Sequence, residues 1–261
     1  MNRLDGRSLE DRHFVTALAR GLEVLACFRS GDKVLGNLEI AKRCALPKST
    51  VSRLTSTLKR LGYLIQVEDS GKYRLGTATL SLGSAMLARL DVRKLARPMM
   101  QELADFSDSM VALGTRDRLS MLYIEGCRSS AALTLSLDAG SRIPLATSAI
   151  GRAWLAVASE RERNDVLERV EELDEVAWPK IRDGIAASVE DHRTLGVTCS
   201  FGEWQKDVNG IARAFQPGGS LPVMAINVGG PSSSLSREYL LGEVRPRLLA
   251  LVERLSSGGA S

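Results

Sequence analysis

Apolar residues recur through the first sixty positions at the three- and four-residue spacings of helices. Phe14, Ala17, Leu18, Leu22, Leu25 and Phe28 mark an amphipathic helix over 14–28, which Gly31-Asp32 breaks. A short helix over 38–44 follows, entered through Gly36-Asn37, both acceptable caps, with Ile40, Ala41 and Cys44 facing inward. Pro47 suits the first turn of a third helix, where its missing N–H is no loss. Val51, Leu54, Leu58 and Leu61 form the buried stripe of that helix, and Gly62 ends it. Strand composition then appears over 63–67 and again over 72–75, separated by the turn Glu68-Asp69-Ser70-Gly71.

The other face of the third helix carries the first chemical signal. Ser49, Ser52, Arg53, Ser56 and Arg60 share it, flanked by Lys48 and Lys59, and no Asp or Glu occurs from Cys44 to Val67. A merely solvated helix face is the alternative, but such faces mix both signs, with Glu four residues before Lys. Small hydroxyls permit close approach to a major groove, Arg reads guanine edges, and Lys holds phosphates. A helix, a helix-turn-helix and a hairpin with basic and aromatic residues near its tip make a winged helix-turn-helix, its second paired helix in the groove and its wing on the backbone. Ser49, Ser52, Arg53 and Ser56 are the candidate base readers. Lys48, Lys72 and Arg74 are the candidate phosphate contacts, and Thr50 belongs to the same surface.

Charge agrees with this division. The chain is +4 overall, but positions 1–76 hold fourteen basic and eight acidic residues, a net of +6, against 21 and 23 in the remainder, a net of −2. Only the first third is suited to a polyanion. At 261 residues, two domains are expected and no disulfide or metal staple is needed. The four cysteines, Cys27, Cys44, Cys127 and Cys199, form no C-x-x-C pair, and there are only two histidines, His13 and His192. Zinc ribbons and thioredoxin-type motifs are excluded, and a Ser-His-Asp or Cys-His mechanism has almost nothing to draw on. No catalytic residue, metal or cofactor is expected. No apolar run approaches a membrane span, and the first residues lack the apolar core of a signal peptide, so a cytoplasmic protein with reduced thiols and no membrane partner is expected.

Glu39-Ile40-Ala41, Leu46-Pro47-Lys48-Ser49-Thr50-Val51-Ser52-Arg53-Leu54, Gly62-Tyr63-Leu64, Tyr73-Arg74-Leu75-Gly76 and Leu80-x-Leu82-Gly83 together resemble the DNA-binding domain of the isocitrate lyase regulator (IclR) family. Two departures stand out: Ala45 where the family often has Gly, and Asn37 where a Leu commonly precedes the second helix. The resemblance implies an α+β protein: a winged helix-turn-helix over 12–76, a linker helix over 77–90 using Leu80, Leu82, Met86 and Leu87, and an α/β effector-binding domain over 91–257. That last domain is GAF-like, with a six-stranded antiparallel sheet. Within it are expected a helix over 91–106 that Pro98 kinks or starts, paired strands over 110–115 and 119–125, a core strand over 222–231 and a closing helix over 236–255. Exposed leucines on the linker and the short site read by one winged helix point to a homodimer or a dimer of dimers on double-stranded operator DNA.

In the second domain Ser148 is a good N-cap for a helix running to about 158, and a helix N-terminus suits a carboxylate. The resemblance implies effector contacts at Thr147, Ser148, Ala149 and Ile150, a second wall of Ser200, Val208 and Gly210, and a third of Asn227 and Gly229. Gly210 and Gly229 replace side chains that occur elsewhere in the family, so a larger or aromatic carboxylate is expected. Gly229, before Gly230-Pro231, also reads as a backbone turn. Trp204 either lids this site or packs on the surface. Cys199 reads as a small buried hydrophobe. Asp191 and His192 read as the surface of a polar helix over 178–194, and 168–175 as a solvated helix end and loop. The implied function is a metabolite-controlled transcriptional regulator. The alternative is an enzyme with a regulatory DNA-binding domain.

Overall fold

The computed structural model describes residues 14–29, 31–87, 91–130, 135, 137–218 and 221–257. The expected domain start at 12–13, the linker end at 88–90 and the side chains of Met86 and Leu87 lie outside the described residues. The chain divides into two compact units, 1–89 and 90–261.

The first unit runs α1 (Thr16–Ala26), α2 (Asn37–Cys44), α3 (Lys48–Arg60), β1 (Leu64–Gln66), β2 (Tyr73–Leu75) and α4 (Thr77–Leu87). Its core is Val24, Leu35, Ile40, Ala41, Val51, Leu58, Leu64 and Tyr73. At the start of α2 the Gly36 N–H donates to the Glu39 carboxylate at 2.8 Å, and its end is turned by Ala45, which takes the left-handed conformation at φ 53°. The turn expected from the family's Gly is therefore kept, at the steric cost of a Cβ. Asn37 accepts a hydrogen bond from Thr55 of α3 at 3.3 Å, so the second departure ties α2 to α3. The wing pairs Leu64 with Leu75 and Gln66 with Tyr73. Leu35 adds a one-residue third strand through two 2.8 Å bonds with Tyr73. Gly76 lies so close to the Gly62 carbonyl that a Cβ there would overlap it, which accounts for the glycine closing Tyr-Arg-Leu-Gly.

Several expectations shift. Pro47 caps α3 from outside instead of starting it. Leu61 is 61% exposed, and the fully buried Thr55 takes its place, its hydroxyl donating to the Val51 carbonyl at 2.9 Å. On α1, Val24 is buried and Leu25 and Phe28 pack against the core, whereas Val15, Leu18 and Leu22 form a second, exposed apolar stripe. The hairpin's tyrosines are not at its tip: Tyr73 is core and Tyr63 packs against it.

The second unit contains α5 (Asp91–Ser107), β3 (Met110–Asp117), β4 (Ser120–Arg128), β5 (Arg142–Pro144), α6 (Ala149–Val157), α7 (Glu160–Leu173), α8 (Trp178–Leu195), β6 (Thr198–Phe201), β7 (Val208–Phe215) and β8 (Met224–Pro231). It closes with α9 (Arg237–Tyr239), a π-helical turn over 240–244 and α10 (Arg245–Ser257). Pro98 sits inside α5 without ending it. The six strands form one antiparallel sheet in the order β5-β4-β3-β8-β7-β6, packed by α5 and α10 on one face and by α6 and α8 on the other. Much of the face toward α6 is small: Ala112, Gly114, Thr198, Ser200, Gly210, Ala212, Ala225, Asn227 and Gly229 fall on it by strand parity, beside the larger Met110 and Tyr123. Close approach follows, with an added Cβ on Gly114 reaching the Ile150 side chain at 3.1 Å. On the opposite face the buried Glu125 is ion-paired with Arg93 and Arg97 of α5, both at 2.6 Å.

Candidate functional site

In the first unit, α3 presents Lys48, Ser49, Ser52, Arg53, Ser56, Lys59 and Arg60 to solvent, while Thr50 is half-buried. The helix faces its core through Val51, Thr55 and Leu58, so the polar residues fall on the outward side by the 3.6-residue period. Arg74 is exposed on the wing. Lys72 is half-exposed and lies 3.9 Å from Glu39, a loose pair that solvent screens. Lys59 donates to Gln66 of β1 at 3.0 Å, linking α3 to the wing. The wing tip itself, Glu68-Asp69-Ser70, is exposed and acidic.

In the second unit, the residues expected to line an effector site converge. Ser200 pairs across the sheet with Gly210, Gly210 with Gly229, and Ala212 with Asn227. Ser148 caps α6, its hydroxyl oxygen accepting the Gly151 N–H at 3.2 Å. The Ala149 and Ile150 amides stand in the first turn, outside the helix's own ladder. Ala149 lies over Gly210, 3.8 Å from where a Cβ would be. The Ser200 hydroxyl donates to the Thr147 carbonyl at 2.7 Å, which holds the loop entering α6 against β6. Val208 is half-buried at the start of β7, opposite Pro231. Gly229 lies within β8 and not in a turn, and a Cβ on it would meet Asn227 at 3.4 Å and nothing closer.

Asn227 is 8% exposed, and its side-chain oxygen is buried with no protein partner among the described residues. Tyr123 of β4 is 2% exposed, and burial pushes its phenol pKa up, with the neighbouring Asn227 opposing the shift. Buried carbonyl oxygens are nearly always paired. By strand parity Asn227 shares the α6-side face with Gly210 and Gly229.

A second buried group braces the site. Arg152 of α6 is 2% exposed. Its guanidinium donates to the carbonyls of Ala146 at 3.0 Å and Cys199 at 3.2 Å, to the Ser188 hydroxyl at 3.3 Å and to the Glu203 carboxylate at 2.8 Å, with a second, shorter bond to the same carboxylate. Gly184 of α8 makes room, since a Cβ there would collide with both partners. Trp204, next to Glu203, is half-buried and packs on the α6-side core, so it is packing rather than free surface. Sequence reasoning missed Tyr123, Arg152 and Glu203. Arg152 left a signal: it is the only charge in a nine-residue helix that is otherwise apolar, which places it inside.

Asp191 and His192 are half-buried rather than surface residues. Burial, and then the charge of Arg213, lower the His192 pKa. Cys199 is buried and its thiol is pushed up to about 12, by burial first and then by Asp191. The 168–175 stretch is helical to Leu173, with Val170 buried. Among the described residues, no three His, Cys, Asp or Glu side chains converge on a metal site, and no helix is long and apolar enough to cross a membrane.

Comparison with known proteins bears on both halves. The family model "Bacterial transcriptional regulator IclR C-terminal" matches residues 84–257, and "IclR helix-turn-helix domain" matches 17–68. The HTH-type transcriptional regulator TsaQ1/TsaQ2 of Comamonas testosteroni is 35% identical over 93% of this chain and 88% of its own. The crystal structure of an IclR family transcriptional regulator from Brucella abortus superposes with a TM-score of 0.86 at 47% identity, covering 95% of this chain and 94% of that one. An IclR homologue from Microbacterium hydrocarbonoxydans, complexed with 4-hydroxybenzoate, shares the fold at a TM-score of 0.72 and 21% identity, over 93% and 98% of the two chains.

Proposed function

The chain belongs to the IclR family of bacterial transcriptional regulators, and from that premise we propose that a small carboxylate bound between the N-terminus of α6 and the small-residue face of the sheet controls its occupancy of operator DNA. The observation that carries this reading is the buried, unpartnered oxygen of Asn227. The Ala149 and Ile150 amides receive the carboxylate. Asn227 accepts a hydrogen bond from a hydroxyl or amine at the ligand's other end, and a ring is seated where Ala149 and Leu135 now pack over Gly210 and Gly229. The ligand therefore has an acid at one end and a donor at the other, as 4-hydroxybenzoate does. Binding acts on DNA only by favouring one arrangement of a dimer over another. The exposed stripe Val15, Leu18, Leu22 on α1 and the exposed Leu80 and Leu82 on α4 are suited to burial in that dimer.

Calorimetry with 4-hydroxybenzoate, benzoate, pyruvate and glyoxylate tests the ligand class. The hydroxylated aromatic acid should bind the parent most tightly, and Asn227→Ala should lose about 1–3 kcal/mol for it but little for benzoate. Equal losses for both acids, or no binding by any of the four, overturn the assignment. Turnover of a bound acid would favour the enzyme alternative. For DNA, a duplex selected from a randomised library should bind Arg53→Ala about 1–3 kcal/mol more weakly and less selectively. Lys72→Ala should flatten the salt slope by about one. A 28.3 kDa species alone in sedimentation at micromolar concentration would contradict the dimer.

A further inference from the structure

The fold brings together two cysteines that lie far apart in sequence. Cys27 is the C-cap of α1, and Cys44 is the last residue of α2. Both are free, half-buried and packed against the same core. The Glu23 carbonyl accepts both the Cys27 N–H at 3.0 Å and the Cys44 thiol at 3.7 Å, which brings the two cysteines together. Arg43 clamps the pair, donating to the Cys27 carbonyl and to the Asp32 carboxylate, both at 2.9 Å. Cys127 and Cys199, by contrast, are 2% and 4% exposed and stand in the second unit.

We propose that Cys27 and Cys44 are a hydroperoxide-sensitive modification site, forming a reversible disulfide that weakens operator binding. Cys44 is the attacking sulfur: it adjoins the Arg43 guanidinium, which bonds the Cys27 carbonyl at 2.9 Å, and the neighbouring Cys27 thiol and the Arg43 charge hold its pKa down, while that of Cys27 is raised. The Cys44 thiolate attacks the terminal oxygen of a hydroperoxide. The O–O bond breaks, leaving a sulfenic acid on Cys44, and the alkoxide departs as an alcohol after taking up a proton (as water when the oxidant is hydrogen peroxide). Cys27 then attacks the sulfenic sulfur, forming the S–S bond, and its proton leaves with the hydroxide as water. Two thiols lose two electrons in all, and one hydroperoxide gains them. A dithiol reverses the step by exchange.

The position of Cys44 explains the consequence. Ala45 makes the left-handed turn after it, and Lys48 opens the groove-facing helix. A disulfide requires sulfurs about 2.05 Å apart, closer than free thiols, so it draws the last turn of α2 toward α1 and displaces the turn that aims α3. Cytosolic disulfides, where they occur, are mostly transient and redox-sensing.

The effect on operator rests on the regulator reading, whereas the disulfide does not, and the test separates them. Reduced full-length protein is treated with hydrogen peroxide at one to five equivalents and digested without reductant. Mass spectrometry should find a Cys27–Cys44 linked peptide that dithiothreitol removes. Dimedone should label Cys44 in Cys27→Ser and leave Cys27 unlabelled in Cys44→Ser. The oxidised parent should bind the library-selected duplex at least tenfold more weakly, with recovery on reduction, and the double Cys→Ser variant should be indifferent to peroxide. Absence of the linked peptide overturns the site, and linkage without a change in affinity overturns the switch. Failure of the reduced protein to select any duplex removes the regulator reading and the switch with it, while the disulfide is still judged by the linked peptide.

Discussion

Replacing Glu203 by Gln removes the counter-charge of Arg152 while keeping the length of the side chain and one carbonyl acceptor. Breaking a fully buried ion pair typically costs about 3–5 kcal/mol, because the surviving charge stays out of water. Two features reduce that figure. The Glu203 side chain is 34% exposed, so solvent screens part of the pair. Arg152 also keeps the Ala146 and Cys199 carbonyls and the Ser188 hydroxyl. A loss of about 2–3 kcal/mol remains. For a unit of this size, about 2–4 °C per kcal/mol, this lowers Tm by roughly 4–12 °C. The three tryptophans, Trp154, Trp178 and Trp204, all lie in the second unit, so urea unfolding followed by their fluorescence reports that unit alone. Arg152→Met removes the charge that needs the partner. Glu203→Gln should therefore cost much less in that background, with a coupling of at least about 1 kcal/mol. A loss below about 0.5 kcal/mol, or strict additivity, would refute the role of Glu203 as the counter-charge that allows Arg152 to be buried.

Gly151→Ala should destabilise the second unit by about 1–3 kcal/mol, because the new Cβ overlaps the Leu145 backbone; the same fluorescence melt measures it, and an unchanged midpoint would show that the loop yields freely. Ala45→Gly should stabilise the first unit by about 0.5 kcal/mol. Relief of left-handed strain, about 1–2 kcal/mol, exceeds the unfolded-state entropy that glycine adds, about 0.4–1 kcal/mol; a lower midpoint by circular dichroism would contradict this. His192 has a folded pKa below its unfolded value, set first by burial. Its contribution to stability is complete above the unfolded pKa of about 6.5 and is lost as pH falls through that value toward the folded one, since the unfolded chain then binds more protons. His192→Gln should flatten the stability profile below about pH 6.5, and an unchanged slope would exclude His192 as its source.

The first unit was legible because its signals are local. Pro47, the spacing of Val51 and Leu58, and the run free of Asp and Glu are all set within α3, so periodicity alone orients the helix. Where tertiary packing decides, the pattern misled. Leu18 and Leu22 carry the apolar period of α1, yet the core turns toward Val24, Leu25 and Phe28 and leaves them outside. Thr55 is polar in composition but satisfies its hydroxyl on its own helix and on Asn37, so it is buried in a place that hydropathy assigned to Leu61. The second unit depended on resemblance, since the sheet pairs β3 with β8 across more than a hundred residues. The Cys27–Cys44 contact and the Arg152–Glu203 pair are likewise matters of topology, and no spacing rule reaches them.

The small-residue face of the sheet and the buried Asn227 belong to one physical argument. A sheet face of Ala, Gly, Ser and Thr gives up much of the stabilisation that Val and Ile would supply, about 25 cal/mol per Å² of apolar surface, and an unpaired buried carbonyl costs about 1–3 kcal/mol more. Neither feature improves the packing of the domain itself. A Leu at 227 would remove the unpaired oxygen. On the proposed reading, a ligand that supplies the missing donor recovers that cost only in the conformation that seats it between α6 and the sheet. The ligand's affinity then differs between conformations by the amount recovered, and that difference is the only quantity through which an effector can bias binding at a distant operator.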